Sequence, residues 1–163
     1  MSEYIIRYIT HSDDPKIAGI IRNNLRSFHL DIPGTVYFDK KLDTLSAFYA
    51  EYPEKRRYCI MTDENGSVVG GVGIAEFERL EDCAELQKLY LCDEVKGRGL
   101  GKKLLQTAEE TARMLGYAQF YLETHTNLEA AIGLYENSGY RLIEKPSAVC
   151  HGTMNRFYIK KLF

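Results

Sequence analysis

A chain of 163 residues that is 45% hydrophobic and 27% charged has the length and composition of one ordinary globular domain, which we place over residues 1–163. Its formal net charge of −2 gives no electrostatic basis for binding nucleic acid or a membrane surface, and no apolar run is long enough to span a bilayer. The four cysteines and four histidines lack paired spacing, so we predict reduced thiols in a cytoplasmic protein and no metal site.

In the first half of the chain, apolar residues recur with the periods that mark strands and helices. In chain order they predict a strand over 4–10, a helix with Asp14 at its N-cap and Pro15 in its first turn, a helix over 42–52, and strands over 57–62 and 67–78. Asn65-Gly66 favours a hairpin turn between the last two strands, because both residues tolerate a positive φ. Gly70, Gly71 and Gly73 lie inside the later strand, which indicates a bulge or a close backbone approach.

The second half predicts alternating strands and helices. In chain order these are a strand over 83–92, a helix over 100–115, a strand over 118–124, a helix opened by Thr126–Glu129, and strands over 140–144 and 155–162. Gly116 and Gly139 follow the two helices where glycine commonly ends a helix, and Thr126 and Glu129 have the spacing of a capping box. Because a helix joins strands 83–92 and 118–124, we expect that pair to be parallel and the sheet to be mixed.

Three glycines, Gly97, Gly99 and Gly101, lie between strand 83–92 and the next helix. Glycine lets the backbone approach a ligand closely, and the first turn of a helix offers unpaired N–H groups at the positive end of the helix dipole. This arrangement predicts a phosphate or pyrophosphate site. The spacing is not that of a P-loop, and Lys102 stands where the dinucleotide fingerprint has its last glycine.

The sequence Lys96-Gly97-Arg98-Gly99-Leu100-Gly101 resembles the coenzyme A motif of the GNAT superfamily of N-acetyltransferases, Gln/Arg-x-x-Gly-x-Gly/Ala, with Lys96 at the first position. The segment 131–140, Ala-Ile-Gly-Leu-Tyr-Glu-Asn-Ser-Gly-Tyr, resembles the Ala-x-x-Leu-Tyr-Glu-x-x-Gly-Phe segment of the same family. The order of predicted elements is also that of the family. The resemblance therefore implies an α/β fold of the GNAT acyl-CoA N-acyltransferase type, a mixed central sheet flanked by about four helices.

The resemblance implies an enzyme that moves an acetyl group from acetyl-CoA, without a metal, to a primary amine by direct attack in a ternary complex. The acceptor is expected to be a small molecule such as an amino acid or a polyamine, and the enzyme a monomer or homodimer. Two alternatives stay open at this point. One is a non-catalytic acyl-CoA-binding sensor of the same fold, and the other is an N-acetyltransferase that acts on peptides or proteins.

Acetyl transfer needs one group that takes a proton from the amine and one that protonates the leaving thiolate. Tyr135 matches the family tyrosine that protonates the thiolate, although core packing also fits its position. Glu85 matches the base glutamate of some members, and strand alternation places it on the face of Leu89 and Leu91, where an apolar setting raises its pKa. A water as the base, a solvated Glu85, or a Glu85 that only binds the ammonium group are the alternatives.

The residues that the resemblance assigns to the cofactor are Leu89, Tyr90, Leu91, Lys96, Gly97, Arg98, Gly99, Leu100, Gly101, Lys102 and Asn127. The backbone of 89–91 would pair with the pantetheine arm like an added strand. The N–H groups of 96–102 would hold the pyrophosphate, with charge added by Arg98 and Lys102. Asn127 would contact the cofactor beyond the next strand, or cap its own helix.

The acceptor is expected to enter between the first two helices and the later strands. The residues predicted there are polar, acidic or aromatic: Thr35, Tyr37, Asp39, Glu76 and Glu123. Acidic and aromatic groups suit an amine, although solvated charge and core packing explain the same residues. Lys88 and Arg141 favour instead an acceptor that carries a carboxylate.

Overall fold

Seven strands form one sheet in the order β1-β2-β3-β4-β5-β7-β6, in a computed structural model that describes residues 3–147 and 152–163. The strands are β1 Ile5–Tyr8, β2 Arg57–Thr62, β3 Val68–Glu76, β4 Cys83–Leu91, β5 Gln119–Thr124, β6 Arg141–Ile143 and β7 Arg156–Lys161. The helices are α1 Asp14–Ser27, α2 Leu45–Glu51, α3 Leu100–Met114 and α4 Glu129–Asn137. Among the described strands only β4 and β5 pair in parallel, so the predicted mixed α/β sheet and its element order are confirmed.

Helices cover both faces of the sheet, and alternate residues of each central strand serve the two cores. On one face α1 packs Ile17, Ile21 and Leu25 against Tyr58 and Ile60 of β2. On the other face α3 packs its apolar stripe against Cys59 and Met61, the intervening residues of the same strand; that stripe is Leu104, Leu105, Ala108 and Ala112. Because both faces are buried, β2 and β3 read as nearly continuous apolar runs.

The glycines of β3 are required by close approach. A Cβ added to Gly73 would collide with the Tyr49 hydroxyl, and one added to Gly71 would collide with the ring of Tyr58. These two tyrosines are buried, at 3% and 1% exposure, so the space cannot be opened cheaply. The sequence prediction of a close backbone approach is therefore confirmed.

The extra residue of the β3–β4 bulge lies in β4, not among the glycines. Gly71 faces Tyr90 and Gly73 faces Gln87, so two residues of β4, Lys88 and Leu89, lie opposite one residue of β3. Lys88 absorbs the insertion with a φ of 51°. The bulge reverses the alternation of β4 beyond this point.

Two predicted helix starts are wrong because side chains have distant partners. The N-cap of α1 is Asp13, while Asp14 instead accepts hydrogen bonds from the backbone N–H and hydroxyl of Ser46 at 2.8 and 2.6 Å. The Thr126 hydroxyl accepts from Asn155 at 3.2 Å, so it caps nothing, and α4 begins at Glu129. The glycine ends are confirmed, since Gly116 and Gly139 have φ of 94° and 90°.

Candidate active site

A cleft opens where β4 and β5 stop pairing. The two strands share only three paired positions, which end at Glu85 and Tyr121. Beyond them β5 remains paired with β7, and the edge of β4 that faces β5 has no strand partner among the residues described. The cleft holds a cavity of about 350 Å³, a volume typical of small-ligand sites.

Residues from β4, the glycine turn, β5 and α4 line this cavity. Of the residues that the sequence assigns to a cofactor, the lining includes Leu89, Tyr90, Leu91, Lys96, Gly97, Gly99, Leu100, Gly101 and Lys102. Of the other predicted site residues it includes Tyr135 and Glu123.

The glycine turn presents a continuous row of backbone donors. None of the N–H groups of residues 97–102 donates a hydrogen bond within 3–147 or 152–163. Gly97 and Gly99 have φ of 80° and 76°, a conformation that other residues rarely adopt, and Gly99 immediately precedes α3. Six free donors at the positive end of a helix dipole suit a pyrophosphate, so the chemistry of this turn fits the group that the sequence predicts.

The two flanking cations of this turn differ. Lys102 lines the cavity, whereas the Arg98 guanidinium donates to the Tyr4 hydroxyl at 3.0 Å and lies outside the lining. Lys96 lines the cavity and pairs with Asp93 at 2.9 Å.

Asn24 is a cavity residue that the sequence reasoning missed. Its side-chain N–H group donates to the carbonyl oxygen of Leu91 at 2.8 Å and to that of Ile20 at 2.9 Å. It is 2% exposed, so α1 is fastened to the free edge of β4 by a buried amide. The available signal was an asparagine beside Leu25 on the otherwise apolar side of α1.

Tyr135 lies on the wall that α4 contributes. It is 5% exposed, and its ring packs at 5.8 Å from that of Tyr140 and 6.4 Å from that of Tyr158. Burial, with a smaller contribution from Tyr90, holds its pKa well above the usual value, so the phenol stays protonated at neutral pH. Its hydroxyl makes no hydrogen bond with another residue in the described part of the chain, which leaves it available to a ligand.

Glu85 ends a short hydrogen-bond relay. Its carboxylate accepts from the Gln87 amide at 2.8 Å, and the Gln87 carbonyl accepts from the buried Tyr49 hydroxyl at 2.6 Å. Burial raises the pKa of Glu85, and the charge of Glu123 raises it further, while the Gln87 hydrogen bond and the charge of Lys88 lower it. The net effect is a raised pKa for Glu85.

The predicted face of Glu85 is wrong. Because the bulge at Lys88 reverses the alternation, Glu85 shares its face with Gln87 and Tyr90, whereas Leu89 and Leu91 pack in the core on the α3 face. Its raised pKa therefore comes from burial at the opposite face, on the side of α1 and α2.

Glu123 and Lys88 bring opposite charges to the same cavity wall. The Tyr121 hydroxyl donates to the Glu123 carboxylate at 2.8 Å. Lys88 is half-buried, and burial lowers its pKa against the opposing charges of Glu85 and Asp39. The cavity lining therefore holds one carboxylate, Glu123, and one amine, Lys88, beside the end of the β4–β5 pairing, whereas Glu85 lies outside the lining.

The remaining predicted acceptor residues have local partners. Thr35 accepts a hydrogen bond from the Tyr37 backbone at 3.4 Å, and Asp39 accepts from that of Lys41 at 2.9 Å. The Tyr37 hydroxyl accepts from Arg26 at 2.9 Å. None of the three residues lines the cavity.

Glu76 and Asn127 also lie outside the cavity lining. Glu76 forms a largely buried ion pair with Arg56, at another surface depression. The Asn127 side chain donates to the Phe28 carbonyl at 2.9 Å, which ties the loop before α4 to the end of α1. Asn127 does not cap α4, whose N-cap is Leu128.

Several known proteins are similar to this chain in sequence and in fold. The profile of the acetyltransferase (GNAT) family matches residues 8–140. The uncharacterized N-acetyltransferase YjgM of Escherichia coli is 38% identical over 142 residues, which cover 86% of this chain and 83% of that protein. The crystal structure of a GNAT-family acetyltransferase from Staphylococcus aureus superposes with a TM-score of 0.85 at 20% identity, over 99% of this chain and 100% of that one.

A third comparison concerns the cofactor. The PaiA N-acetyltransferase of Thermoplasma acidophilum, solved in complex with coenzyme A, superposes with a TM-score of 0.72 at 17% identity, over 98% of this chain and 99% of that one. The chain belongs to the GNAT acetyltransferase family, and the predicted class of acetyl-CoA-dependent N-acetyltransferase is confirmed. No helix in the described ranges is long and apolar enough to cross a membrane, and no cluster of three His, Cys, Asp or Glu side chains there is arranged to hold a metal.

Proposed function

We propose that this chain transfers the acetyl group of acetyl-CoA to the primary amine of a small molecule, by direct attack within a ternary complex. The observation that carries the proposal is one continuous cavity, with free backbone donors at the glycine turn and convergent ionisable side chains at the β4–β5 split. A small cavity with few polar groups suits a small acceptor.

The glycine turn is the part of the site that would hold the cofactor. The N–H groups of 97–102 would donate to the pyrophosphate, with Lys96 and Lys102 adding positive charge. The free edge of β4 at Leu89 would pair with the pantetheine arm, since the Leu91 carbonyl is already taken by Asn24. Bound there, acetyl-CoA supplies the acetyl group as a thioester.

The proton movements follow from the pKa shifts. Glu85, with its pKa raised toward neutrality, accepts a proton from the acceptor ammonium, either directly or through a water. Tyr135, which stays protonated, gives its hydroxyl proton to the departing sulfur. Tyr135 thus keeps the proton that its step requires, and a raised pKa makes the Glu85 carboxylate a stronger base than an ordinary one.

The test is the release of free thiol from acetyl-CoA across a panel of amino acids, polyamines, aminoglycosides and short peptides. We expect turnover with at least one small amine, and a loss of about a hundredfold in kcat in Tyr135→Phe. The matched control is Tyr117→Phe, which removes a hydroxyl that donates to the Lys55 carbonyl outside the cavity and should leave kcat unchanged.

Calorimetry with coenzyme A separates the competing functions. Tight cofactor binding without turnover of any amine would support a sensor of the same fold instead. Turnover confined to the peptides would favour an enzyme that acts on peptides or proteins. Absence of binding would contradict the assignment of the glycine turn.

A further inference from the structure

We propose that Lys88 recognises the acceptor, and that the acceptor carries a carboxylate close to the amine that is acetylated. This inference rests on the proposed function and adds the class of substrate, an α-amino acid or a compound built like one. The inference concerns the amine and carboxylate of the acceptor and does not depend on its side chain.

The backbone holds Lys88 in a conformation that a lysine seldom adopts. Its φ of 51° lies in the left-handed region, where glycine is the usual residue. The hydroxyl of Tyr58, which is 1% exposed, donates to the Lys88 carbonyl at 2.8 Å and so fixes the bulge from the core. A lysine at a position that favours glycine points to a contribution from its side chain.

The lysine of the bulge also lines the cavity. Lys88 and Glu123 are both lining residues, from the two strands that separate. Glu85 and Asp39 lie close enough for their charges to act on the Lys88 ammonium.

The Lys88 ammonium forms no ion pair or hydrogen bond with any residue of 3–147 or 152–163. The two carboxylates are better satisfied, since Gln87 donates to Glu85 and Tyr121 donates to Glu123. A half-buried cation without a partner is costly unless an anion joins it.

The positive and negative side chains at this end of the cavity are complementary to the charges of a zwitterion. The Glu123 carboxylate, which lines the cavity, attracts the ammonium of the acceptor before it loses its proton, and Glu85 adds negative charge from outside the lining. Lys88, beside them, attracts an anion that a simple amine or polyamine lacks. An α-amino acid carries an ammonium group and a carboxylate on the same carbon atom.

The experiment compares amino acids with the amines that lack only the carboxylate, for example phenylalanine with phenethylamine, and each acid with its amide. kcat and KM are measured separately for the wild type, Lys88→Gln and Lys88→Arg. Lys41→Gln is the control, because it removes an exposed cation outside the cavity lining. Thermal unfolding and coenzyme A affinity are recorded for each variant.

The wild type should prefer the acids by about tenfold or more in kcat/KM, the worth of a charge-assisted hydrogen bond. Lys88→Gln should lose that preference, mainly through a higher KM for the acids, and Lys88→Arg should restore part of it. Lys41→Gln should retain the full preference. A purely structural role for Lys88 would instead change both substrates of each pair alike.

Three results would overturn the inference. One is equal use of acids and decarboxylated amines by the wild type, which leaves the proposed function intact. The second is a preference unchanged in Lys88→Gln. The third is acetylation of Lys88 itself by acetyl-CoA without added amine, detected by mass spectrometry, since Lys88 would then be an acceptor rather than a recognition group. If the wild type acetylates no amine at all, the proposed function fails and this inference fails with it.

Discussion

The two ends of the cavity differ in what they offer a ligand. At the glycine turn the ligand meets backbone: six consecutive N–H groups at the start of α3 have no hydrogen-bond partner among the described residues. At the β4–β5 split the ligand meets side chains: Glu123 and Lys88 line the cavity, and Glu85 lies near them outside the lining.

This difference between backbone and side-chain groups separates two tasks, binding of the cofactor and selection of the acceptor. Backbone donors can be kept while side chains around them change, so they suit a cofactor that is the same in every turnover. Side chains decide charge and shape, so they suit the acceptor that one enzyme selects. We therefore expect changes at one end to leave the function of the other end intact.

The largest effect at the acceptor end is expected for Glu85→Gln. The change removes the proposed base, so kcat/KM at neutral pH should fall by about tenfold to a hundredfold. Coenzyme A affinity should not change. The control is Glu110→Gln, an exposed glutamate on α3, and an equal loss in that variant would point to a non-specific effect of charge.

The pH profile sharpens this prediction. Glu85 acts as a base only when it is deprotonated, and its folded pKa is raised, so wild-type activity should fall as the pH drops through a value above the ordinary carboxyl range. This acidic limb should disappear in Glu85→Gln. Because a raised carboxyl pKa makes the charged form unfavourable in the fold, Glu85→Gln should be at least as stable as the wild type at neutral pH. A limb that persists in the variant would assign the titration to another group.

A smaller effect is expected at the cofactor end for Gly99→Ala. A Cβ at a φ of 76° costs about 1–2 kcal/mol, which should lower the free energy of unfolding and shift the N–H groups of the turn. The dissociation constant of coenzyme A should rise by about tenfold, the equivalent of one or two lost hydrogen bonds, with kcat at saturation nearly unchanged.

Gly133→Ala is the matched control for that change. Gly133 lies inside α4 and a Cβ there has no atom within 4 Å, so the variant should be more stable by about 0.5–1 kcal/mol. Its cofactor affinity should equal that of the wild type. A parallel loss of affinity in both variants would remove the special role of Gly99.

The smallest effect is expected for Lys102→Met. An exposed lysine adds only long-range attraction, worth about 0.2–1 kcal/mol, so coenzyme A affinity should fall by about twofold to threefold. The difference between variant and wild type should shrink as salt is raised. An effect as large as that of Gly99→Ala would mean that side-chain charge, and not backbone, dominates this end.

The same contrast explains how much of the molecule could be predicted from its sequence. The glycine turn and the order of elements follow from local patterns, and the structure has them where those patterns indicate. Other contacts depend on partners far apart in the chain. Asn24 meets the Leu91 carbonyl 67 residues later, and Thr126 meets Asn155 rather than Glu129.

The prediction of which face of β4 carries Glu85 was wrong for a related reason. A single inserted residue at Lys88 reverses strand alternation, and nothing in the period-two pattern of β4 marks where the insertion falls. The glycines that do mark a close approach lie on the neighbouring strand. Pairing between strands, which fixes the bulge, is not contained in either strand alone.

The most direct test of the two-ended site measures coenzyme A affinity by calorimetry and amine turnover by thiol release in the same pair of variants, Gly99→Ala and Glu85→Gln. We expect opposite results: Gly99→Ala binds coenzyme A about tenfold more weakly but turns over normally at saturation, whereas Glu85→Gln binds normally but turns over about tenfold more slowly or worse. If both variants lose affinity and turnover together, the two ends of the cavity do not act separately, which contradicts the proposed division of the site.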